Sequence, residues 1–376
     1  MSKKNDDKKN IVIVGGGHSG SLLARDLSTK LDASLYNIIL INERPYYVIL
    51  IAGARLNVTS EGALEDRALV PYDKLFINGN GTAKVGKVTA VEEATPGKGG
   101  EVVLEDGERI PYTVLVLASG SSWPGPLNFP QTDADVQAHI ARWRKTYEAA
   151  KHVVVVGGGA VGIDCWGSER CLARQEGHHR AGQRPPTEPA YPDKFRKDIE
   201  RRVRLQNIEI IFNEQAGEIP PPGTLGLTLK SGKTIPDADL VVPAFGPRAN
   251  TGFVASLGSD VLTDKGFVKV KPTLELPAHP GVFAVGDIIE WNEQKQAAKA
   301  GAHIAVVAAN IVSFLQDKPL KKEYKGSLEM IVIPVGKNGG SGYFDVLWGI
   351  VVGDFITRLT KAKDLFVTKS RSARGY

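Results

Sequence analysis

Two glycine-rich turns in this sequence have the spacing that holds phosphate groups against the start of a helix. The first, Gly15-Gly16-Gly17-His18-Ser19-Gly20, follows the apolar residues 11–14, which have the composition of a buried parallel strand. In such a turn the first glycine allows the sharp bend, the second lets the backbone approach a pyrophosphate, and the third lets the helix pack closely on the strand. Because a helix start also offers free N–H groups and the positive end of its dipole, the pattern predicts dinucleotide binding.

A second turn of the same kind lies further along the chain. Four consecutive valines, residues 153–156, lead into Gly157-Gly158-Gly159-Ala160-Val161-Gly162, where Gly157, Gly159 and Gly162 keep the spacing of the first turn. One chain with two such turns predicts two dinucleotide sites. After the first turn, the apolar residues 38–41 predict the next strand, and Glu43 beyond it is placed to accept hydrogen bonds from ribose hydroxyls.

An acidic residue at the end of a later strand is a third candidate. Residues 281–285 predict a buried strand that ends in Gly286-Asp287, and residues 112–117 predict another that ends in Ala118-Ser119-Gly120. Small residues at a strand end let the backbone pass close to a ligand. Asp287 would then lie near a helix start, where it serves either a ligand or the helix as an N-cap.

These signatures together resemble the pyridine nucleotide–disulfide oxidoreductase superfamily over roughly residues 10–320. The resemblance implies an α/β fold with two Rossmann-like dinucleotide-binding domains. The FAD-binding domain would be discontinuous, residues 11–145 and 247–325, with an NAD(P)H-binding domain, residues 146–246, inserted and a short C-terminal segment, residues 326–376. The cofactor-binding residues that it implies are Gly15, Gly16, Gly17, His18, Ser19, Gly20, Glu43, Arg55, Val88 and Asp287 for FAD, and Gly157, Gly159 and Gly162 for NAD(P)H.

The C-terminal segment indicates a branch of that superfamily. Residues 334–342, residues 358–367 and the helix around residues 300–312 are similar to the apoptosis-inducing-factor-like branch, and within it most similar to the ferroptosis suppressor proteins, which are NAD(P)H–quinone oxidoreductases. By this resemblance Lys361 would lie near the flavin's pyrimidine edge and Phe366 would line the acceptor pocket. A solvated surface lysine and a core phenylalanine are the alternatives at these two positions.

The predicted function is an FAD-dependent NAD(P)H oxidoreductase that passes electrons directly to a quinone-like acceptor. Cys165 and Cys171, the two cysteines, lie in the second unit and lack the C-x-x-C spacing of a redox pair, so a disulfide relay is not expected. The alternative is a non-catalytic, FAD-binding cell-death or signalling factor whose basic surface binds nucleic acid. Phosphate binding needs a clustered basic face, which the neutral body of the chain does not predict.

Charge and hydropathy bear on where the protein works. The 376 residues carry a formal net charge of +5, and the first ten and last sixteen residues contribute +2 and +4 of it. We expect no signal peptide, no membrane-spanning helix and no N-myristoylation, and therefore a cytoplasmic protein. The basic tail, residues 367–376, is predicted to contact anionic membranes or lipid droplets peripherally. The sequence indicates no oligomeric state.

Residues 165–189 do not fit the pattern around them. They contain no Ile, Val, Phe or Tyr, so we expect no strand there, although a nucleotide-binding unit needs one. Three interpretations stay open: a shifted reading frame or misplaced exon boundary, a genuine loop, or a metal site that uses Cys165, Cys171, His178 and His179. The C-x5-C spacing matches zinc sites poorly, and no metal site is predicted. Without the strand, we expect the chain to bind FAD but to bind NAD(P)H weakly.

Overall fold

The first of two parallel sheets is built around the strand that leads into the first glycine turn. The computed structural model describes residues 8–166, 178–180 and 190–376. The sheet has six strands, which are parallel except for one edge strand that is antiparallel to its neighbour. In spatial order they are β18 (Glu275–Leu276), β19 (His279–Ala284), β9 (Val114–Leu117), β1 (Lys9–Val14), β2 (Tyr36–Asn42) and β5 (Gly81–Val85).

Helices cover this sheet because its strands are apolar on both faces. Ile11, Val12 and Ile13 of β1 are fully buried, as central parallel strands require. Helix α1 (His18–Lys30) follows the first glycine turn and packs against α7 (Ala300–Leu315). By length and composition the stretch Ala297–Leu315 could cross a membrane, yet half of it is buried inside the protein, where α7 packs on α1 and β19.

The second sheet is formed by residues that lie between the two parts of the first. Its four parallel strands are, in spatial order, β13 (Glu209–Ile211), β12 (His178–Arg180), β11 (Val153–Val156) and β16 (Leu240–Pro243). Helix α5 (Ala160–Trp166) follows the second glycine turn, and α6 (Asp193–Arg204) buries Phe195, Ile199 and Val203 against this sheet. The arrangement is the predicted α/β fold, one dinucleotide-binding unit inserted into another.

The expectation that residues 165–189 contain no strand was wrong. Residues 178–180 form β12, which pairs with β11 on one side and with β13 on the other. Strand pairing uses backbone N–H and C=O groups, so a segment without β-branched residues can fill a place between two strands that offer partners on both sides. Residues 167–177 and 181–189 lie outside the described part of the chain, and so does the position of Cys171 in the zinc interpretation.

Smaller sheets and helices complete the structure. The C-terminal segment contains a three-stranded antiparallel sheet of β20 (Met330–Pro334), β21 (Gly340–Phe344) and β22 (Ile350–Val352). Another three-stranded antiparallel sheet comprises β6 (Val88–Glu92), β7 (Gly100–Leu104) and β8 (Arg109–Tyr112). The two-stranded sheets pair β3 (Tyr46–Val48) with β4 (Leu69–Pro71), β10 (Ser121–Ser122) with β17 (Arg248–Ala249), and β14 (Leu227–Thr228) with β15 (Thr234–Ile235). The other helices are α2 (Leu50–Val58), α3 (Leu64–Arg67), α4 (Asp133–Ala149), α8 (Asp354–Thr357) and α9 (Val367–Ser372).

The basic tail is folded onto the first unit. Arg374 is 0 % exposed, and its guanidinium lies 3.8 Å from the centre of the Tyr47 ring while Nε donates to Ser21 Oγ at 2.9 Å. Arg371 donates to Arg67 O at 3.2 Å and lies over the Tyr376 ring. Two of the cations on which the predicted membrane contact of residues 367–376 depends are therefore engaged within the protein.

We expect Arg374→Met to lower the free energy of unfolding by about 1–3 kcal/mol, because it removes a buried, charge-assisted hydrogen bond and the contact with Tyr47. Ser21 Oγ also donates to Gly17 O, so it is not left without a partner by the change. Urea denaturation gives the measurement, and Arg371→Met, on the more exposed side of the same tail, is the matched control. Equal losses in the two variants would contradict the role of Arg374.

Candidate functional site

The first glycine turn is wedged against the end of β9. Gly15 has φ +106°, and a Cβ there would lie 2.3 Å from Ala118 O and 2.8 Å from Ser119 Cα. A Cβ on Gly20 would lie 1.9 Å from Gly15 O, whereas one on Gly17 would meet nothing within 4 Å. The three glycines thus do different things: two allow close packing inside the protein, and the third leaves open space beside the start of α1.

Two side chains hold the backbone of this turn from behind. Tyr72 donates its hydroxyl hydrogen to Gly16 O at 2.7 Å, and Gly16 N donates to Asn42 Oδ1 at 2.9 Å. His18 lies at the first position of α1, with its Nδ1 3.2 Å from Tyr47 Oη. Burial, with the nearby charges of Arg374 and Lys369, lowers the pKa of His18 to about 4, so its ring is neutral near pH 7. Positive charge at this turn therefore comes from the helix end and from Arg374, whose Nη2 donates to His18 O at 3.3 Å, and not from His18.

The carboxyl end of β19 meets this turn, as the sequence predicted for Asp287. A Cβ on Gly286 would lie 2.8 Å from Ser19 Oγ, so the two loops touch. Asp287 Oδ2 accepts a hydrogen bond from Ser121 Oγ at 2.8 Å. The first turn, the strand end at residues 118–122 and Asp287 therefore share one edge of the sheet, where ligands of open α/β sheets bind.

A buried histidine orients the backbone beside Asp287. Gly286 N donates to His303 Nδ1 at 3.1 Å, and His303 Nε2 lies 3.0 Å from Glu293 Oε1. The first contact makes Nδ1 the acceptor, so Nε2 carries the hydrogen that Glu293 accepts. Burial raises the pKa of Glu293, but the hydrogen bonds from His303 and Tyr324 outweigh it and lower that pKa overall. Sequence reasoning missed His303 and Glu293, although His303 lies in the helix around residues 300–312 that is similar to the apoptosis-inducing-factor-like branch.

Glu43 borders a cavity of about 510 Å³ at the end of β2. Gln131 Nε2 lies 3.4 Å from Glu43 Oε1, and Phe129 and Arg142 line the same cavity. Its volume falls within the range of small-molecule sites. Val88 begins β6 near this edge, because Gly86 N donates to Asn42 O at 2.9 Å, next to Glu43. The predicted roles of Glu43 and Val88 stay predictions.

The second glycine turn repeats the geometry of the first. Gly157 has φ +130°, and a Cβ there would lie 2.5 Å from Ala244 O. A Cβ on Gly162 would lie 2.2 Å from Gly157 O, and one on Gly159 would meet nothing within 4 Å. A cavity of about 350 Å³ lies beside Gly157 and is also lined by Glu214 and Phe245.

Lys361 and a carboxylate that the sequence analysis did not select form a nearly buried ion pair. Lys361 Nζ lies 3.2 Å from Asp164 Oδ2 and donates to Val332 O at 3.0 Å; the two side chains are 11 % and 13 % exposed. Burial raises the pKa of Asp164, and the charges of Lys361 and Arg55 only partly oppose this. In the described part of the chain no donor reaches Asp164 Oδ1, although that atom is buried. The sequence signal for Asp164 is its place two residues after Gly162, the last glycine of the second turn.

Phe366 belongs to the C-terminal segment, and Arg55 contacts that segment from α2. Arg55, on α2, donates from Nη1 to Ala362 O at 2.9 Å, so it binds the segment directly after Lys361. Phe366 is partly buried at the start of α9, with φ +58°. The structure thus brings Arg55 to the C-terminal segment, at the residue after Lys361. The predicted cofactor contact of Arg55 and acceptor contact of Phe366 stay predictions.

Metal ligands do not cluster in the described residues, where no group of three or more His, Cys, Asp or Glu could hold an ion. Cys165 lies buried on α5. The other residues of the zinc interpretation, Cys171 and the side chains of His178 and His179, lie outside what the structure describes.

Several known proteins are similar to this chain in sequence, and solved structures are similar to it in fold. An FAD-dependent oxidoreductase of Flammulina velutipes, FVFD30, is 44 % identical over 319 residues, which are 85 % of this chain and 98 % of that protein. Ferroptosis suppressor protein 1 of Taeniopygia guttata is 28 % identical over 98 % of this chain and 97 % of its own length, and apoptosis-inducing factor homolog B of Dictyostelium discoideum is 25 % identical over 96 % of each.

A solved structure of similar fold is the sulfide:quinone oxidoreductase from the hyperthermophilic bacterium Aquifex aeolicus. It superposes with a TM-score of 0.75 at 18 % identity and covers 97 % of this chain and 92 % of its own. The relatives agree with the apoptosis-inducing-factor-like branch that the C-terminal segment indicated. The family model described as pyridine nucleotide-disulphide oxidoreductase matches residues 9–304, and the chain belongs to that family.

Proposed function

We propose that this protein is an FAD-dependent NAD(P)H oxidoreductase that passes electrons directly to a quinone-like acceptor. The observation that carries the proposal is the repeated glycine turn, which leaves open space at Gly17 and again at Gly159 beside the start of a helix. FAD, when bound, supplies the chemistry of hydride acceptance and electron delivery, so the protein has to bind, orient and protect.

The residues at the first turn fit the phosphates and ribose of FAD. The backbone of Gly15–Gly20 and the start of α1 would hold the pyrophosphate, because the helix offers N–H groups without a helical partner there. Glu43, beside its cavity, would accept from the ribose hydroxyls. Asp287, oriented by Ser121 and by the contact of Gly286 with His303, would bind the middle of the cofactor.

The second turn supports binding of the electron donor. Gly157, Gly159 and Gly162 repeat the geometry of the first glycine turn. Strand β12 is present in the sheet, although the sequence predicted that this strand would be missing. The structural reason for weak NAD(P)H binding is therefore removed. We now infer that the chain as written binds the nicotinamide nucleotide at this turn.

Composition and relatives support direct electron transfer and a quinone-like acceptor. The chain has two cysteines, and Cys165 lies on α5 in the second unit, so no pair is available beside the first turn. Likeness to ferroptosis suppressor protein 1 along almost the whole chain supports a quinone-like acceptor.

Lys361 would stabilise negative charge, and Asp164 would hold a proton, where the C-terminal segment contacts the second unit. Lys361 keeps a nearly buried positive charge on the C-terminal segment next to α5, where it stabilises negative charge formed nearby. Asp164 has a raised pKa, and its Oδ1 has no hydrogen-bond partner among the described residues, so this carboxyl is suited to hold a proton at that atom. By this proposal, Lys361 and Asp164 contribute to the electron-transfer reaction in addition to the residues that bind the cofactors.

The direct test is turnover of the purified protein with NADH or NADPH and a water-soluble quinone. We expect bound flavin, loss of its absorbance on addition of the donor, and recovery on addition of the quinone. Flavin that neither nucleotide reduces, together with salt-sensitive retention on DNA, would favour the non-catalytic alternative instead.

Gly17→Val and Gly159→Val should separate the two cofactor sites. Beyond its chain neighbours, an added Cβ lies more than 4 Å from any atom of the described residues at either position, so we expect both variants to fold, but each side chain would occupy the space proposed for a phosphate. We expect Gly17→Val to lose flavin, and Gly159→Val to keep flavin while KM for the donor rises at least tenfold, or about 1.4 kcal/mol. Each variant is the control for the other, and loss of flavin in both would contradict the assignment.

Lys361→Met should change the pH dependence of turnover. Lys361 lowers the pKa of Asp164, so without it that pKa rises further and the carboxyl stays protonated to higher pH. Because the protonated carboxyl is the proposed functional form, the alkaline limb of kcat/KM against pH is expected to move to higher pH, and Asp164→Asn should abolish that limb. Lys363→Met, a nearby exposed lysine, is the control. A Lys361→Met profile that overlays the parent would refute the coupling.

A further inference from the structure

Large apolar side chains that folding leaves exposed are concentrated in one stretch of the C-terminal segment. Trp348 is 100 % exposed, and Leu347 and Phe355 are each 76 % exposed. Elsewhere in the described residues, no stretch as long as 347–359 exposes more than two such side chains. We call this surface the apolar rim, and its members are Leu347, Trp348, Ile350, Phe355, Ile356 and Leu359.

The tip of the β21–β22 hairpin holds two members in a backbone conformation that suits other residues. Gly349 N donates to Val346 O at 3.0 Å and closes the turn, while φ is +48° at Leu347 and +68° at Trp348. Asn and Gly are preferred at the two central positions of such a turn. Bulky apolar residues in the left-handed region of an exposed tip indicate a role other than folding.

The helical turn that follows the hairpin is apolar outward and anchored inward. Helix α8 continues into the π-helical residues Arg358–Ala362. Thr357 and Ala362 are buried, and α8 packs on β20 and β21, whereas Phe355 and Leu359, four residues apart, are exposed. Residues four apart lie on the same side of a helix. The turn therefore presents an apolar face to the outside while its other face is packed against β20 and β21.

Positive charge accompanies the apolar rim. Arg358 and Lys363 are exposed on the same helical stretch. Of the neighbouring carboxylates, Asp354 is engaged by the guanidinium of Arg202 and by Gly340 N, and Asp345 accepts from Tyr343 Oη at 3.0 Å. Apolar and aromatic side chains beside cations are the composition of protein surfaces that lie in the headgroup region of a membrane.

We propose that the apolar rim docks on a lipid surface that carries anionic headgroups. Trp348 and Leu347 would enter the boundary between headgroups and acyl chains, and Arg358 and Lys363 would contact the anionic groups. Docking goes beyond the proposed redox function, because it can be measured without donor or acceptor. It also moves the predicted membrane contact from the tail, where Arg374 is buried, to the rim.

A second copy of this chain fits the rim less well than lipid does. In a two-fold symmetric dimer the same patch meets itself, which would bring Arg358 and Lys363 of one copy towards those of the other. A projecting hairpin tip with a fully exposed tryptophan also gives a poor flat interface. A fluid lipid surface accepts a projecting tip, and its charge is opposite to that of the flanking cations.

The test is co-sedimentation of the flavin-loaded full chain with vesicles of phosphatidylcholine, with and without phosphatidylserine. We expect binding that is stronger with phosphatidylserine and is weakened by salt, together with a blue shift of tryptophan emission. The decisive variant is the double substitution Leu347→Asn and Trp348→Gly, which places the preferred residues in the turn. It should fold at least as well as the parent, lose the blue shift and bind vesicles at least tenfold more weakly.

Leu225→Ser, at an exposed leucine outside the rim, is the matched control and should bind vesicles like the parent. Turnover with a water-soluble quinone should be the same in the parent, the double variant and the control, so failure of docking is distinguishable from failure of the redox function. Unchanged vesicle binding in the double variant would overturn the proposal. So would vesicle binding that is absent in the parent, or a parent dimer that the double variant dissociates in light scattering.

Discussion

The structure depends on two places where backbone meets backbone so closely that only glycine fits. At Gly15 and at Gly157 a Cβ would lie within 2.5 Å of the carbonyl oxygen of Ala118 or Ala244, at the end of the neighbouring strand. The contact sets where each helix starts relative to its sheet, since a third glycine then lets the helix pack on the turn. The open space at Gly17 and Gly159 is a consequence of that packing. The space that we propose for each cofactor is therefore a product of the fold of each unit.

Features encoded over a few neighbouring residues could be predicted from the sequence. The glycine turns, the apolar strands before them and the Gly286-Asp287 strand end all have patterns that show without any knowledge of distant parts of the chain. Order along the chain then implied that one unit is inserted in the other, and the two sheets have that arrangement. The domain limits at residues 145, 246 and 325 stay predictions, because the chain passes through these positions without a local signal.

Contacts between distant residues were beyond sequence reasoning. Asp164 and Lys361 meet through the approach of α5 to the C-terminal segment, and His303 reaches Gly286 from a helix later in the chain. Arg374 would be taken for a solvated tail residue, since burial of an arginine depends on partners that only the fold supplies. β12 was missed for a different reason: strand propensity reports side-chain packing, whereas an interior strand with partners on both sides is held by its backbone.

The C-terminal segment contacts both dinucleotide-binding units. Its Ala362 carbonyl binds Arg55 of the first unit, its Lys361 binds Asp164 of the second, and its Arg374 closes over the start of α1. A segment tied at three points to two units holds them in one relative position. The apolar rim belongs to the same segment, with Leu359 two residues from Lys361. A lipid surface under the rim would therefore face the helical stretch that carries Lys361, and an acceptor dissolved in lipid would approach the segment that contacts both units.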